Sequence, residues 1–506
     1  MSYYVTTPIY YVNGEPHLGH AYTTIAADVL ARHMRQRGED VFFLTGTDEH
    51  GEPVAQAAEK LGITPRELGD RNAVRFKELA AALNVTNSFF IRTTDPEHMA
   101  KVAEVVQRIH DNGHVYAGHY EGWYCPRCAD FKTESELEDG NLCPIHKIVL
   151  EIEQEDNWFF RLSEFQEPLE RLYAERPDFV TPQIRYNEAL AFIKSGLRDL
   201  SLSRQRLKWG VEVPWDHSQV IYVWIDALLN YYTALSYARP NEDLTERFWP
   251  ATVHLIGKDI LKFHAVIWPA MLMAAGIEVP RRVTIHGFLL LGEHKMSKSL
   301  GNVIEPFQVA DLYGPDALRF YVLREVSFGA DGEVSPEGFE TRYTTELANE
   351  YGNLASRTLA MIDRYRDGTV PEARPPELLA GEFKGVVDAV RDALDRVEIT
   401  VALDEIWRRI KLLNRYVQDE QPWQLAKDEA QAERLDEVLY GLAEGLRVVS
   451  VLLHPFMPTS SERLLEALGR PELSLEEARF GAVGGGASIG ELGQLFPRVE
   501  AETPAA

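Results

Sequence analysis

The fold is decided near the start of the chain, in residues 3–20, which read YYVTTPIYYVNGEPHLGH. The β-branched and aromatic residues from Tyr3 to Ile9 predict a buried strand, and Asn13-Gly14 predicts a turn after it. A helix is predicted from His17 onward, because apolar residues then recur at helical spacing on one face. This stretch therefore reads as a strand, a tight turn and a helix.

Three further strands are predicted along the chain, over Val41–Leu44, Thr252–Ile256 and Val283–Ile285. Each leads into a polar loop, and the first of these loops is 45–51, TGTDEHG. Strands separated by helices predict a parallel, doubly wound (Rossmann-like) α/β sheet. Ligands bind such sheets at the carboxyl ends of the strands, where these polar loops fall.

Length, composition and charge limit the classes of protein. A chain of 506 residues is too long for one core, so several domains are expected. No bilayer-spanning apolar run and no signal peptide are evident, which predicts a cytoplasmic protein without membrane contact. A net charge of −26 argues against a nucleic-acid coat protein, although local basic patches are compatible with RNA binding.

The three cysteines fall into a metal-binding pattern. Cys125-Pro126-Arg127-Cys128 and Cys143-Pro144-Ile145-His146 have the same internal spacing and contain every cysteine of the chain. Three thiolates and an imidazole suit tetrahedral zinc, and four protein ligands indicate a structural metal. If His146 is not the fourth ligand, His114 or His119 is the alternative.

The pattern changes twice along the chain. From Val115 to Gly210, cysteines, aromatic residues and acidic residues cluster, which predicts an insertion that splits the nucleotide-binding fold. From about Thr345 the sequence is helical, with a linker at Pro371–Pro376 and a loose glycine-rich loop at Gly481–Gly490. Apolar residues follow helical spacing at Leu403, Ile406, Trp407, Ile410, Leu413 and Val417.

Two basic motifs stand almost three hundred residues apart. His17-Leu18-Gly19-His20 places two imidazoles on one face of a helix start, where they can hydrogen-bond a reacting phosphoryl group. Lys295-Met296-Ser297-Lys298-Ser299 lies in a loop and brings two positive charges for phosphate oxygens. Taken alone, the first motif also fits a core histidine pair or a metal site, and the second fits a solvated turn.

Together and in this order, the two motifs resemble the signatures of class I aminoacyl-tRNA synthetases, and nearly the whole chain is similar to the methionyl-tRNA synthetase family. The resemblance implies that methionine and Mg²⁺–ATP form methionyl-adenylate, whose methionyl group passes to the terminal 2′-hydroxyl of tRNA(Met). It also implies a catalytic domain, a zinc-knuckle insertion and an α-helical bundle. The implied boundaries are 1–114 and 211–275 for the two catalytic halves, 115–210 for the insertion, 276–345 for a linking region and 346–506 for the anticodon-binding domain.

The resemblance assigns site residues one by one. The catalytic residues are His17, His20, Lys295 and Lys298. ATP contacts are implied for these four and for Gly19, Glu212, Gly257, Asp259, His286, Gly287 and Ser297. The methionine pocket comprises Ile9, Tyr11, Asp48, Trp224, Leu228, Tyr231, Ile260 and His264. The anticodon contacts are Asn349, Asn353, Arg357 and Trp423, beside a basic stripe of Arg408, Arg409, Lys411 and Arg415 that fits a solvated helix face equally well.

Other functions remain as alternatives. A class I synthetase for another amino acid would share the signatures, but 115–210 is too short for a large editing insertion. A zinc hydrolase using His17 and His20 lacks a third ligand nearby, and a catalytically silent tRNA-binding protein would not need the histidines and lysines. The chain resembles no added oligonucleotide-binding domain after Phe496, so a monomer is expected.

Overall fold

The computed structural model describes residues 2–125, 130–132, 134–145, 147–290 and 304–498. The chain folds into two compact units. The first comprises Met1–Pro16, Val41–Leu79 and Asn87–His286, and the second comprises His17–Asp40, Ala80–Thr86 and Gly287–Ala506. None of the helices in the described ranges combines the length and the apolar character that crossing a bilayer requires.

The strands of the described residues are short except for β1, β2, β4 and β6. They are β1 Ser2–Tyr11, β2 Asp40–Asp48, β3 Phe89–Arg92, β4 Val115–Cys125, β5 Asp130–Lys132, β6 Glu151–Phe160, β7 Val180–Thr181, β8 Leu200–Ser201, β9 Ser203–Arg204, β10 Glu212–Val213, β11 Asp216–Ile221, β12 Val253–Gly257, β13 Val283–His286, β14 Leu289–Leu290 and β15 Gly332–Glu333.

The helices occur in both units, and the C-terminal part of the second unit is almost entirely helical. They are α1 Leu18–Gln36, α2 Glu52–Leu61, α3 Pro65–Ala82, α4 Pro96–Asp111, α5 Gln166–Glu175, α6 Gln183–Lys194, α7 Val223–Thr233, α8 Thr245–Phe248, α9 Trp268–Ala274, α10 Pro306–Tyr313, α11 Pro315–Arg324, α12 Pro336–Arg342, α13 Asn353–Arg366, α14 Glu377–Phe383, α15 Val386–Asp395, α16 Ile399–Glu420, α17 Pro422–Leu425, α18 Ala432–Leu453 and α19 Pro458–Ala467.

A parallel six-stranded sheet forms the centre of the first unit, in the order β3-β2-β1-β12-β13-β7. Val5 lies opposite Val253, and His254 lies opposite Val283. The central strands β2, β12 and β13 are largely buried on both faces, as expected for a sheet that is covered on both sides. The parallel sheet and the helical region after it confirm that part of the predicted fold.

The first unit also contains two antiparallel sheets. One has the order β5-β4-β6-β8, in which β4 and β6 pair over ten residues, and the other has the order β10-β11-β9. The range 115–210 contributes to the parallel sheet as well, because Val180 in β7 pairs with Val283 in β13. The predicted change of pattern in this range is therefore a change to antiparallel pairing, with one parallel edge strand retained.

The strand predicted over Val41–Leu44 is longer than its apolar run. Strand β2 continues through Thr45 to Asp48, and these four residues are buried although three of them are polar. The predicted end of the strand at Leu44 was wrong, because a polar side chain can stay in a buried strand when a neighbouring element supplies its hydrogen bond. Thr45, for example, accepts a hydrogen bond from Thr7 at 2.7 Å.

The helical region of the second unit begins earlier than the sequence pattern indicates. Helices α10, α11 and α12 precede residue 345, from which helical structure was predicted. Within α16 the apolar residues at helical spacing are buried, as that spacing predicts, and Leu403, Ile406 and Ile410 are fully inaccessible. The linker predicted at Pro371–Pro376 has no regular structure.

The glycine-rich segment 481–490 is irregular, but it is not the loose loop that its composition suggests. Gly486 donates to Val370 O at 2.7 Å, and Val370 N donates to Ala487 O at 2.9 Å. A Cβ on Gly485 would lie 2.1 Å from Pro371 O, so only glycine fits there. The glycines allow close contact between two backbone segments.

A buried ionic cluster joins α1 to α11 and to the short segment before β3 within the second unit. Asp28 accepts from Arg32 Nε and forms an ion pair with Arg319 Nη1, both at 2.8 Å. Its other oxygen accepts from Thr86 N at 2.8 Å and from Thr86 Oγ1 at 2.6 Å. Arg319, fully inaccessible, also donates to Phe456 O at 2.9 Å. The cluster is paired throughout, as buried charges require.

Replacing Asp28 tests this cluster. Asp28→Ala leaves two buried guanidinium groups without their carboxylate, so we expect a loss of about 3–5 kcal/mol in the free energy of unfolding, measured with urea. The control Arg396→Gln removes an exposed ion pair with Glu398 at 2.7 Å, and we expect a loss of less than about 1 kcal/mol. Equal losses for the two variants would contradict this account.

Candidate active site

Four strands of the parallel sheet end beside one another at its carboxyl edge. Strand β1 ends at Tyr11, β2 at Asp48, β12 at Gly257 and β13 at His286. This edge is the ordinary ligand-binding edge of a parallel α/β sheet. Each of these four residues is a predicted site residue.

Asp48 has an unsatisfied carboxylate oxygen. The side chain is buried, with 3% of its surface exposed, and Oδ1 has no hydrogen-bond partner among the described residues. Burial and the nearby carboxylate of Asp226 raise the pKa of Asp48 well above its ordinary value. A buried acceptor without a donor is costly, so the site favours a ligand that carries a positive charge or a hydrogen-bond donor.

Aromatic rings form a wall in the same unit. Trp224 stacks on Phe263, with ring centroids 3.9 Å apart and nearly parallel planes. The edges of Tyr11 and His264 face the indole of Trp224, at centroid distances of 6.2 and 6.5 Å. The indole Nε1 of Trp224 is buried and has no partner among the described residues. Such a wall suits an apolar, polarizable ligand group.

Tyr231 and His264 form one hydrogen-bonded pair. Tyr231 Oη lies 2.6 Å from His264 Nε2, and His264 Nδ1 lies 3.1 Å from Ile260 O. Since Nδ1 faces a carbonyl, it carries the proton, and Nε2 accepts from the tyrosine. Burial lowers the pKa of His264 to about 4, although the bond to Ile260 acts in the opposite direction. His264 lies in a π-helical turn, Phe263–Ile267, a feature frequent at functional sites.

The remaining predicted methionine residues belong to the same group. Leu228 and Tyr231 are members of the main core of the first unit, and Ile9, Tyr11, Trp224 and Ile260 pack against that core while partly exposed. Burial raises the pKa of the Tyr231 hydroxyl, and the nearby charge of Asp48 adds to that shift. The structure thus brings together Tyr11, Trp224, Tyr231, Ile260 and His264, with Asp48 near Tyr231, and Ile9 and Leu228 belong to the same core.

The predicted ATP residues of the first unit are only partly brought together. A Cβ on Gly257 would lie 2.8 Å from Asp259 Oδ1 and 3.8 Å from His286 Cε1, so these three residues are neighbours. Gly257 and His286 are also register partners in adjacent strands. Glu212 lies instead in the three-stranded antiparallel sheet, largely exposed and paired with His217 Nδ1 at 3.1 Å.

The predicted histidine pair caps the start of α1 in the second unit. Gly19 N donates to His17 Nδ1, and His17 N donates to His20 Nδ1, both at 3.1 Å. The two rings stack with centroids 3.7 Å apart. Burial and the neighbouring His17 lower the pKa of His20 well below its ordinary value. Since each Nδ1 accepts a backbone N–H, the neutral rings carry their protons on Nε2.

Gly287, also a predicted ATP residue, lies in the second unit. A Cβ at this position would lie 2.2 Å from Ala330 O, so the backbone of the two segments is in close contact. Lys295, Ser297 and Lys298 lie outside the described residues, as do two of the predicted zinc ligands, Cys128 and His146.

The two described zinc ligands lie together, and the alternatives do not join them. Cys125 and Cys143 are fully buried and form a small cluster with Leu150, separate from the main core. Among the described residues no three His, Cys, Asp or Glu side chains are arranged to hold a metal. His114 and His119 are paired with Glu164 and Asp156, each at 2.9 Å, and neither forms a metal-binding group with the two described cysteines.

The predicted anticodon residues lie on helices of the second unit. Asn353 begins α13, and Arg357 follows one turn later on the same face. Asn349 lies in the preceding π-helical turn, and Trp423 on α17 is exposed for 36% of its surface.

Three cations of the basic stripe are already paired. Arg408 and Arg409 form ion pairs with Glu405 at 3.0 Å, and Lys411 lies 4.0 Å from Glu350. Arg415 is exposed and makes no ion pair with a described residue. These pairs favour the interpretation of the stripe as a solvated face.

Sequence reasoning missed several residues of the first unit that support the pocket. Phe263 stacks on Trp224, and the fully buried Asp226 bonds to His50 and His98. The one available signal was the carboxylate itself, since an aspartate in an otherwise apolar helix needs a buried partner. The identity of that partner follows only from the fold.

Both halves of the chain match models of known families. Residues 3–149 and 132–359 match the model described as tRNA synthetases class I (M), and residues 368–503 match the anticodon binding domain of methionyl tRNA ligase. The parallel sheet, the histidine pair at a helix start and these matches define a class I aminoacyl-tRNA synthetase.

Relatives extend the match over the full chain. A methionine–tRNA ligase of Streptomyces coelicolor is 46% identical, with 100% of this chain and 98% of the relative covered, and one of Caldanaerobacter subterraneus is 45% identical over 99% and 79%. The structure of Mycobacterium tuberculosis methionyl-tRNA synthetase in complex with methionyl-adenylate is 42% identical, with a TM-score of 0.93 over 98% of this chain and 100% of that one.

The chain therefore belongs to the methionyl-tRNA synthetase family. Its activity is that of a methionine–tRNA ligase, which joins methionine to ATP as methionyl-adenylate and transfers the methionyl group to the 3′ end of tRNA(Met). ATP is used with Mg²⁺.

The depressed pKa of His264, about 4, predicts a loss of stability in acid. The unfolded chain binds a proton near pH 6.5 and the folded chain only near pH 4, so stability falls as the pH drops through this window. The expected loss is about 3 kcal/mol by pH 4.

In urea unfolding at pH 7.5 and 4.5, His264→Gln should lose less stability than the unmodified protein. The control His217→Gln replaces a histidine that is 73% exposed and should leave the acid loss unchanged. An undiminished acid loss in His264→Gln would contradict the assignment.

Proposed function

We propose that Asp48 binds the ammonium group of methionine, in a pocket completed by Ile9, Tyr11, Trp224, Leu228, Tyr231, Ile260 and His264. The observation that carries this proposal is the buried Oδ1 of Asp48, which has no donor among the described residues. An ammonium group donates hydrogen bonds and neutralises the charge, so its arrival removes both costs of burial.

The aromatic wall supports a thioether as the side chain that fills the pocket. Sulfur makes favourable contacts with aromatic rings, and the Trp224–Phe263 stack presents such surfaces. The Tyr231 hydroxyl is committed to His264 Nε2 as a donor, so its remaining capacity is that of an acceptor. The pocket therefore offers mainly apolar and aromatic contacts, which suit the thioether of methionine.

Replacing Asp48 tests the pocket. In methionine-dependent exchange of pyrophosphate into ATP, Asp48→Asn should raise KM for methionine at least about tenfold, since a charge-assisted hydrogen bond is lost, and should leave KM for ATP nearly unchanged. The control Asp199→Asn removes a carboxylate bonded to Tyr116 and Ser163 on the antiparallel sheet, and both KM values should stay unchanged. A normal KM for methionine in folded Asp48→Asn would refute the pocket.

We further propose that His17 and His20 stabilise the charge that develops on the phosphoryl group during adenylation. Their Nδ1 atoms accept backbone N–H groups, so the neutral rings carry their protons on Nε2, and an Nε2–H group can donate to a phosphate oxygen. Gly19, one of the two residues between them, has no side chain to cover the helix start. The methionine carboxylate attacks the α-phosphorus, and pyrophosphate leaves.

The other nucleotide roles are proposed from the family pattern. Gly257, Asp259 and His286 adjoin one another in the first unit, which supports contacts with the nucleoside, and Gly287 follows directly in the sequence. For Glu212 the exposed pair with His217 gives no support beyond the resemblance. Lys295, Ser297 and Lys298 are proposed for the phosphates of ATP on their sequence motif alone.

We propose that Cys125, Cys128, Cys143 and His146 bind one structural zinc ion. The two described thiols suit the ion because they are fully buried side by side in a cluster with few apolar partners. A cluster this small gives little hydrophobic stabilisation, and a tetrahedral thiolate zinc site would add the stabilising free energy of metal binding.

Zinc content tests this site. The purified protein should contain about one zinc ion per chain, and Cys125→Ser should lose it, because a hydroxyl is a poor replacement for a thiolate ligand. The control His119→Gln should keep the metal. Atomic absorption gives the zinc content, and a full zinc content in Cys125→Ser would contradict the ligand set.

We propose that Asn349, Asn353, Arg357 and Trp423 bind the anticodon of tRNA(Met). Trp423 offers a half-exposed aromatic plane for stacking, and the amides and the guanidinium suit base edges. The paired state of Arg408, Arg409 and Lys411 leaves Arg415 as the cation of the stripe best placed to meet phosphate.

Trp423→Ala separates tRNA recognition from amino-acid activation. Loss of one stacked base should raise KM for tRNA(Met) in aminoacylation about tenfold, and pyrophosphate exchange should be unchanged. The control Leu378→Ala truncates another exposed apolar side chain, 56% accessible, and should alter neither reaction. Equal aminoacylation kinetics in the two variants would rule out this role of Trp423.

Finally, we propose a cytoplasmic monomer with the domain boundaries 1–114, 115–210, 211–275, 276–345 and 346–506. The match of residues 368–503 to an anticodon-binding domain supports a separate C-terminal function. Sedimentation at micromolar concentration tests the oligomeric state, and a stable dimer would refute the monomer.

A further inference from the structure

Helix α7 has two functional faces. Trp224, Leu228 and Tyr231 are four and three residues apart, so they share the face that contributes to the proposed methionine pocket. Asp226 lies on the opposite side of the helix and is fully buried. A charged side chain at this position needs a specific function, because an apolar residue would be cheaper to bury.

Both oxygens of Asp226 are held by histidines from other elements. Oδ2 lies 2.7 Å from His50 Nδ1, and Oδ1 lies 2.9 Å from His98 Nε2 on α4. His98 Nδ1 in turn lies 2.7 Å from Oγ1 of Thr233, the last residue of α7. Without these partners burial would raise the pKa of Asp226, but the two histidines lower it to about 2, so the carboxylate is charged.

The two residues that follow Asp48, at the end of β2, are both held by side chains of other elements. Glu49 accepts two hydrogen bonds from Arg92, at 2.6 and 2.7 Å, and one from Thr94 at 2.6 Å. His50 is held by Asp226. The residue that follows Asp48 is thus fixed to β3, and the next residue is fixed to α7. The hydrogen bond between His50 and Asp226 therefore links the segment that contains Asp48, the proposed acceptor of the ammonium group, to helix α7, which carries Trp224.

We propose that Asp226 is a positioning residue for methionine: through His50 it sets the position of Asp48 relative to Trp224, Leu228 and Tyr231. This inference rests on the proposed methionine pocket. Methionine is bound at two ends, by a carboxylate on one element and by apolar side chains on another. Its affinity therefore depends on the distance between them, and a small misplacement weakens binding steeply.

Asp226 also acts on Asp48 through its charge. Its negative charge is among the causes that raise the pKa of Asp48, second to burial. Two carboxylates close together attract a cation more strongly than one does, and the ammonium group of methionine brings that cation. The position that Asp226 gives to Asp48 and the negative charge that it adds should both strengthen the binding of methionine. Neither effect acts directly on the binding of ATP.

The test is a set of variants in pyrophosphate exchange, with L-methionine and ATP varied separately. Asp226→Asn keeps the size of the side chain but cannot accept from both histidines, so KM for methionine should rise about tenfold and KM for ATP less than about twofold. In an Asp48→Asn background the same change should add less than about twofold, because coupled residues are not additive. Calorimetric titration of the variants with L-methionine should give the same ratios in Kd.

A second pair of variants protects the test against failure to fold. His98→Gln keeps a donor at the position of Nε2 and should behave like the unmodified protein, whereas His98→Leu removes the donor and should raise KM for methionine. The inference is overturned if folded Asp226→Asn has a normal KM for methionine, if KM for ATP rises equally, or if its effect is fully additive with Asp48→Asn. If Asp48→Asn itself has no effect, the proposed pocket fails, and that outcome is distinct from failure of Asp226 alone.

Discussion

The parallel arrangement of the central sheet is the constraint on which the site depends. Parallel strands place their carboxyl ends at one edge, so β1, β2, β12 and β13 deliver Tyr11, Asp48, Gly257 and His286 to the same place from distant parts of the sequence. The strand order of the sheet thus sets which residues become neighbours at this edge.

Buried carboxylates in the first unit differ in whether their oxygens have hydrogen-bond partners. Carboxylates with partners support the structure, and a carboxylate without one is a candidate for binding a ligand. Glu49 and Asp226 are fully engaged by an arginine, a threonine and two histidines. Asp48, which directly precedes Glu49 in the sequence, keeps an oxygen without a donor among the described residues. A folded protein can keep such an oxygen only when the rest of the structure offsets its free-energy cost, and the oxygen can then accept a hydrogen bond from a ligand.

Local patterns in the sequence predicted much of this architecture. Features that depend on contacts between residues far apart in the sequence could not be predicted. Strand β1, the helix after His17 and the buried face of α16 follow from periodicity. The continuation of β2 to Asp48 does not, because polar residues such as Thr45 are buried there with partners on other elements. The Asp226–His50 pair is 176 residues apart in sequence, so no local pattern could indicate it. The site residues that were found came from family motifs, whose spacing carries the geometry.

Pyrophosphate exchange with each of the twenty amino acids tests the central claim, that this edge of the sheet forms a pocket for methionine. The aromatic wall and the unsatisfied Asp48 predict exchange with L-methionine and none above background with the other nineteen. Exchange supported equally by an amino acid without a thioether would contradict the pocket. Absence of exchange by folded, zinc-loaded protein would contradict the assignment of adenylation to this chain.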